Sequence, residues 1–246
     1  MAGAISWQLA TVKEVRPETA STRTLALALP SWMRHQAGQH YDLRLTAADG
    51  YQAQRSYSIA SAPELEDNVE LTVERIMDGE VSSYLHQVPV AGDRIEVRGP
   101  IGGYFVWDVT QGGPLLLIAG GSGIVPLMAM LRHRKAAGSR VPARLLYSAR
   151  GIDDLIYRAE LDALAADGTG LEVFYTLTRG APAGWSGFSR RIDLPMLAQI
   201  ARPLGLEPLV YICGPTLMVE SAASGLVELG IPAGRIKTER FGPSGG

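Results

Sequence analysis

Up to residue 108 the apolar positions alternate with polar ones in short runs: Thr24-Leu25-Ala26-Leu27-Ala28-Leu29, Tyr41-Asp42-Leu43-Arg44-Leu45 and Val69-Glu70-Leu71-Thr72-Val73. Pro30, Gly38, Asp49-Gly50, Asp78-Gly79 and Gly92-Asp93 stand between or beside them. A period of two marks a strand with one buried face, and short strands punctuated in this way predict an antiparallel barrel. From Gly112-Gly113-Pro114 the rhythm changes. Strands are expected over 115–119, 143–147, 172–178, 209–213 and 236–241, with helices over about 125–137, 153–166, 193–201 and 216–229 between them. The basic stretch Arg132, His133, Arg134 and Lys135 before Gly138, and the glycines at 168 and 230, are helix-stop signals. In the last helix Met218, Ala222, Leu226 and Leu229 fall on one face. Strand-helix alternation implies a parallel sheet covered on both sides. Two domains follow: an all-β antiparallel barrel over 1–108 and an α/β parallel-sheet domain over 109–246.

Composition narrows the function. A net charge of -2 on 246 residues offers no basic surface to a nucleic acid backbone. The amino-terminal residues lack a basic segment followed by a long apolar one, and the longest apolar run, near 115–119, is far short of a membrane span. A soluble cytoplasmic protein is therefore expected. The single cysteine, Cys213, excludes an internal disulfide framework and a cysteine-ligated iron-sulfur cluster within these residues. His35, His40, His86 and His133 show no metal-ligand spacing, and no protein-held metal is expected.

The run Leu115-Leu116-Leu117-Ile118-Ala119 breaks into Gly120-Gly121-Ser122-Gly123 and then into a helical stretch. Ser122 misses the Gly-x-Ser-x-Gly elbow of a hydrolase, because Ile124 stands where the second glycine belongs. It also misses the dinucleotide fingerprint Gly-x-Gly-x-x-Gly, because Pro126 takes the third place.

In the first half, Arg55-Ser56-Tyr57-Ser58 offers a guanidinium, a planar aromatic and a hydroxyl at alternate positions of a strand, expected mostly on one face, which suits a ligand with a phosphate, a flat ring and a hydrogen-bonding ring atom. An edge strand with a polar face has the same composition. Further on, Gly79-Glu80-Val81-Ser82-Ser83 opens a short helix, either as an anion site or as a plain N-cap.

Taken together, these motifs resemble those of the ferredoxin-NADP reductase superfamily, almost end to end. Its Arg-x-Tyr-Ser motif matches Arg55, Tyr57 and Ser58; its Gly-x-x-Ser motif matches Gly79 and Ser82. Gly38-Gln39 and Gly99-Pro100-Ile101-Gly102 are further marks. Its Gly-x-Gly-x-x-Pro loop matches Gly121, Ser122, Gly123 and Pro126, and its Cys-Gly-Pro motif matches Cys213, Gly214 and Pro215. The resemblance implies a flavin-binding barrel followed by a pyridine-nucleotide domain. Arg55, Ser82 and Ser83 would hold the FAD phosphates, with Arg75, Gly79 and Val81 in the same site; Tyr57 would pack on the isoalloxazine and Ser58 would lie near its N5. FAD rather than FMN rests on the resemblance alone. Cys213 would border the nicotinamide, without a covalent thiolate role, since hydride transfer needs no protein nucleophile.

An NAD site usually presents an acid to the adenosine ribose, and an NADP site cationic or hydroxyl donors. Ser148 and Arg150 follow the second strand of this domain with no acid before Asp153; Thr178 and Arg179 follow the third and resemble the family's Ser-Arg pair; Arg190 and Arg191 come soon after. These residues point to NADP. Arginine is common throughout, however, since only Lys13, Lys135 and Lys237 among 23 basic residues are lysine.

At the carboxyl end, Glu239 and Phe241 match the Glu-x-aromatic terminus of plant-type relatives, in which the aromatic stacks on the flavin and the carboxylate belongs to the site. Five more residues follow Phe241 here, so a core-capping role stands equally open. The implied chemistry is hydride transfer from NADPH to flavin N5, followed by single-electron release to a separate acceptor protein: a ferredoxin, a flavodoxin or an oxygenase component. Ser58, Cys213 and Glu239 would surround the reacting atoms. An NADH-preferring oxygenase or cytochrome reductase component is the neighbouring alternative. Outside this class stand a non-catalytic dinucleotide-binding module and a serine hydrolase, the latter needing His133 as its base.

Overall fold

A computed structural model describes residues 5–241. The first half contains β1 (Gln8–Pro17), β2 (Thr22–Ala28), β3 (His40–Thr46), β4 (Gln52–Ser58), β5 (Asn68–Glu74), α1 (Glu80–Gln87) and β6 (Arg94–Ile101). The strands form one antiparallel sheet in the order β4-β3-β6-β1-β2-β5. Its free edges meet just past β4, where Ile59 bridges Leu71 and the Ala60 N–H donates to the Glu70 carbonyl at 2.8 Å. The apolar positions of the alternating runs point inward, where Leu25, Leu27, Leu43, Leu71, Val73 and Val97 fill the barrel, while the polar Asp42 and Thr72 between them are buried as well. Val81 and Leu85 of α1 join the same core.

The second half contains β7 (Leu115–Gly120), α2 (Ile124–Ala136), β8 (Ala143–Ala149), α3 (Arg158–Ala166), β9 (Leu171–Leu177), α4 (Leu194–Ala201), β10 (Leu209–Pro215), α5 (Thr216–Glu228) and β11 (Ile236–Phe241). The sheet is parallel, in the order β11-β10-β7-β8-β9. Every residue of the central β7 is buried, as the middle strand of a doubly covered sheet must be. Leu115, Leu117 and Ala119 face α2 and α3, whereas Leu116 and Ile118 face α4 and α5. One strand thereby feeds two cores. Helix α2 is buried without interruption from Ile124 to Leu131. A helix apolar on all sides needs cover on all sides. The sheet lies on one side of α2, and Ala37, Ala60, Phe105 and Trp107 from the barrel half share its cluster on the other.

The helix expected over 153–166 starts later. A 3₁₀ turn at Ile152–Asp154 is followed by buried Leu155 and Ile156, and Tyr157 at φ +60° precedes α3. A right-handed helix cannot run through a left-handed residue. The other helices end within a residue or two of expectation.

Candidate functional site: the meeting of barrel end and sheet edge

Parallel strands place their carboxyl ends on one edge. Gly120 of β7, Cys213-Gly214-Pro215 of β10, Glu239 and Phe241 of β11, and the residues following β8 and β9 therefore line one edge of the sheet. The chain runs outward from β7 through β8 to β9, then returns to the other flank of β7 as β10. The crevice at such a reversal is where open α/β sheets take ligands. Gly121–Gly123 forms a 3₁₀ turn that runs straight into α2 with no side-chain cap, so the first N–H groups are available to an anion. Pro126 sits in the first turn of α2, where it removes no helical hydrogen bond.

The glycines here divide into two kinds. A Cβ on Gly123 would stand 2.0 Å from the Cys213 carbonyl oxygen, so this glycine lets the loop backbone touch the end of β10. A Cβ on Gly121, at φ +54°, would meet nothing closer than a Glu74 carboxylate oxygen at 3.9 Å, so this glycine faces open space beside the barrel. Gly123 is thus a packing glycine, and Gly121 alone leaves room for a ligand.

On the barrel, Arg55 and Tyr57 share a face of β4, but Ser58 falls on the other, against the expectation of one face, because it directly follows Tyr57 and successive side chains of a strand alternate. Arg55 is exposed and, among the described residues, donates to the Gln54 carbonyl alone; Tyr57 is half-buried against the barrel core, and burial pushes its phenol up to about 12. Ser58 is buried and paired with His40, a histidine that the sequence motifs do not single out although it follows Gly38-Gln39 directly. Burial lowers the His40 pKa, which favours the neutral ring. The Gln39 amide donates to the Gly102 carbonyl at 2.6 Å, tying together two of the sequence marks. At α1, Gly79 is the N-cap and supplies no side chain. The Ser82 hydroxyl turns back, accepting from the Ile76 N–H at 3.1 Å and donating to the Gly79 carbonyl at 3.2 Å. It shapes the 76–79 turn, so an anion at this helix end would meet chiefly backbone N–H groups and Ser83. Arg75 is exposed and anchored through its backbone N–H to Ser21. The two regions meet through one apolar cluster that holds both Ala60, two residues past Ser58, and Cys213.

Family models match both halves: an oxidoreductase FAD-binding domain over residues 9–106 and an oxidoreductase NAD-binding domain over 117–224. Ferredoxin--NADP reductase B of Sorangium cellulosum is 37% identical over 213 residues, covering 84% of this chain and 85% of its own. The chain belongs to the ferredoxin-NADP reductase superfamily. It is also 30% identical over 233 residues to the glycine betaine monooxygenase reductase subunit of Chromohalobacter salexigens, with 93% of this chain spanning 62% of that protein. The cytochrome b5 reductase domain of Ulva prolifera nitrate reductase superposes with a TM-score of 0.81 at 26% identity, covering 96% of this chain and 97% of its own. The chain is accordingly an FAD-dependent NAD(P)H oxidoreductase of this superfamily.

The donors present fit that cofactor. Among the described residues Arg55 has no carboxylate partner, the amino terminus of α1 lacks a side-chain cap, and Tyr57 offers a half-buried aromatic face nearby. This reductase also brings Cys213 and Glu239 together, as register neighbours on β10 and β11 with Sγ 4.0 Å from Oε2. Burial pushes the Glu239 carboxyl up to about 7 and raises the fully buried Cys213 thiol, which stays protonated. Phe241 lies opposite Pro215 and packs against the core cluster, half-buried.

At the adenosine end of the expected nucleotide path the arginines are not equivalent. The Arg179 N–H donates to the Arg150 carbonyl at 2.8 Å, which fixes both residues side by side beyond β8 and β9. The Arg179 side chain is exposed and, among the described residues, makes no ion pair. Thr178 donates its hydroxyl to the Ala149 carbonyl at 3.2 Å, and Ser148 lies level with Gly120 and Thr176. Arg190, by contrast, holds Asp193 at 2.6 Å and lies 5.2 Å from the Phe188 ring centre. Arg191 is exposed. Asp154, which follows Asp153, accepts from the Gly151 N–H at 2.9 Å. The hydrolase alternative lacks its base: His133 bonds Glu64 at 2.8 Å on the barrel side, several helical turns from Ser122.

Proposed function

We propose that this protein takes hydride from NADPH onto bound FAD and hands electrons one at a time to a separate acceptor protein, a ferredoxin, a flavodoxin or an oxygenase component. The observation that carries the choice of NADPH is the exposed Arg179 guanidinium, held beside Arg150 at the sheet edge with no carboxylate partner among the described residues. An unpaired guanidinium suits the nucleotide's 2'-phosphate, to which it can offer two parallel hydrogen bonds. The relatives support a protein acceptor, since one is a ferredoxin--NADP reductase and another the reductase subunit of a monooxygenase.

Bound FAD supplies the conversion of a hydride into two single electrons. The chain's own residues do the rest. Arg55 and the open amino terminus of α1 hold anionic phosphate, while the Gly121–Gly123 turn presents N–H groups to the dinucleotide. Ser58, His40 and Tyr57 order the barrel end, and Cys213 presents a neutral, apolar wall that keeps water out. Glu239, with its carboxyl at about 7, can hold or release a proton at neutral pH.

The test is stopped-flow reduction of the purified flavoprotein. We expect bands near about 370 and 450 nm, typical of an oxidised flavin, to bleach faster with NADPH than with NADH. No bleaching with either nucleotide after FAD supplementation rejects the reductase reading. Faster bleaching with NADH transfers the assignment to the NADH-dependent alternative.

A further inference from the structure

Strand β5 turns Val69, Leu71 and Val73 into the barrel core, so Glu70, Thr72 and Glu74 face outward. Each of the three meets a different element of the second domain. Glu70 accepts from Arg132 of α2 at 2.9 Å; the Thr72 hydroxyl bonds the Tyr157 hydroxyl at the start of α3; Glu74 stands beside Gly121 of the phosphate loop. The bonding at Thr72 has a direction. Thr24 donates its one proton to Glu18 at 2.6 Å and therefore accepts from Thr72 at 2.7 Å, leaving Thr72 only the role of acceptor toward Tyr157. Burial raises the Tyr157 pKa, so the donor stays protonated.

Arg132 is committed as fully. Its Nε and Nη2 grip Glu160 at 2.9 and 2.6 Å, while Nη1 serves both Glu70 and the Ala60 carbonyl, each at 2.9 Å. Its guanidinium carbon lies 5.0 Å from the centre of the Tyr157 ring. Tyr157 keeps a left-handed backbone, φ +60°, that a side chain with a Cβ disfavours, and its buried hydroxyl is its link to the barrel. The seam thus reaches from Ala60, just past Ser58, to the loop at Gly121.

We propose that the outer face of β5 sets the register between the two domains, and that Tyr157 and Arg132 are positioning residues that hold the phosphate loop in place against the barrel end for hydride transfer. This rests on the reading under Proposed function. Neither residue belongs to the groups assigned to FAD or nucleotide; both act through the loop and strand they hold. Small displacements of a donor relative to an acceptor slow transfer steeply while leaving binding intact.

The variants Tyr157→Phe and Thr72→Val both remove this hydrogen bond, from opposite sides, and Thr72→Val removes the one to Thr24 as well; either serves if the other does not fold. For each, in the FAD-loaded protein, we expect single-turnover flavin reduction at saturating NADPH to slow roughly three- to tenfold, the effect of losing about one hydrogen bond in placement. FAD content and NADP⁺ affinity by titration calorimetry should stay within about twofold, and the double variant should be no slower than the slower single one. A lowered melting temperature with an unchanged reduction rate overturns the proposal and assigns the seam to stability alone. If the unaltered protein is reduced by neither nucleotide, the functional reading fails. Hydrogen exchange without nucleotide then judges the seam: faster exchange over 150–157 in Tyr157→Phe upholds the docking register, and unchanged exchange overturns it.

Discussion

Glu239 offers a measurement in which the structure fixes both sign and size. Its carboxyl is buried at the end of β11 beside the Cys213 thiol, and burial lifts it from an ordinary 4.5 to about 7. Below 4.5 the group is protonated whether the chain is folded or not, and its contribution to stability is then fully present. As pH rises toward about 7 the unfolded chain releases its proton while the folded one retains it, and the difference is stability lost. At about 1.4 kcal/mol per pH unit the ceiling on that loss is about 3 kcal/mol. Glu239→Gln keeps the shape and removes the titration. Urea unfolding of both proteins at about pH 5 and about pH 8.5 should show the unaltered protein losing about 2 to 3 kcal/mol relative to the variant across that range. A difference that stays constant within about 0.5 kcal/mol refutes the reasoning and means that Glu239 is ionised and well solvated in the folded protein. In the functional assay, the limb of the pH profile of flavin reduction near neutrality should disappear in the variant.

Arg179→Ala should lower reduction efficiency with NADPH by about 10- to 100-fold, the loss of a charge-assisted contact, and leave NADH nearly unaffected; equal losses with both reject the 2'-phosphate assignment. Gly123→Ala places a methyl 2.0 Å from the Cys213 carbonyl oxygen and should cost about 2 to 3 kcal/mol in urea unfolding, since backbone must move on one side or the other. Ser82→Ala strands the Ile76 N–H and should cost about 1 to 2 kcal/mol in thermal unfolding, with FAD retained by the backbone amides; loss of FAD at unchanged stability would show that the hydroxyl faces the phosphate instead.

Alternation along β2, β3 and β5 depends only on which face a side chain takes, and the apolar runs of β7 and β10 depend only on burial from both sides. The glycine-containing motifs stand out in the sequence for a related reason. Gly121, Ser122, Cys213 and Gly214 sit where a strand ends, and strand ends are marked in the sequence by glycine and proline. Residues 153–157 were expected in the helix that ends before Gly168 and lie outside it; Tyr157 is pinned to Thr72, which is 85 positions away.

By itself the sequence determined two domains, the character of each sheet, and the residue types gathered at the strand ends, because these follow from periodicity and turn chemistry over a few positions. Tertiary structure alone decided which glycine packs and which leaves room, that the Ser82 hydroxyl closes a turn, that Arg190 is bound to Asp193 while Arg179 stays open, and that Glu239 holds its proton near neutrality. Each of these depends on what comes to lie against a side chain once the strands have paired. Contacts of that kind between residues distant in the chain leave no periodic trace in the sequence.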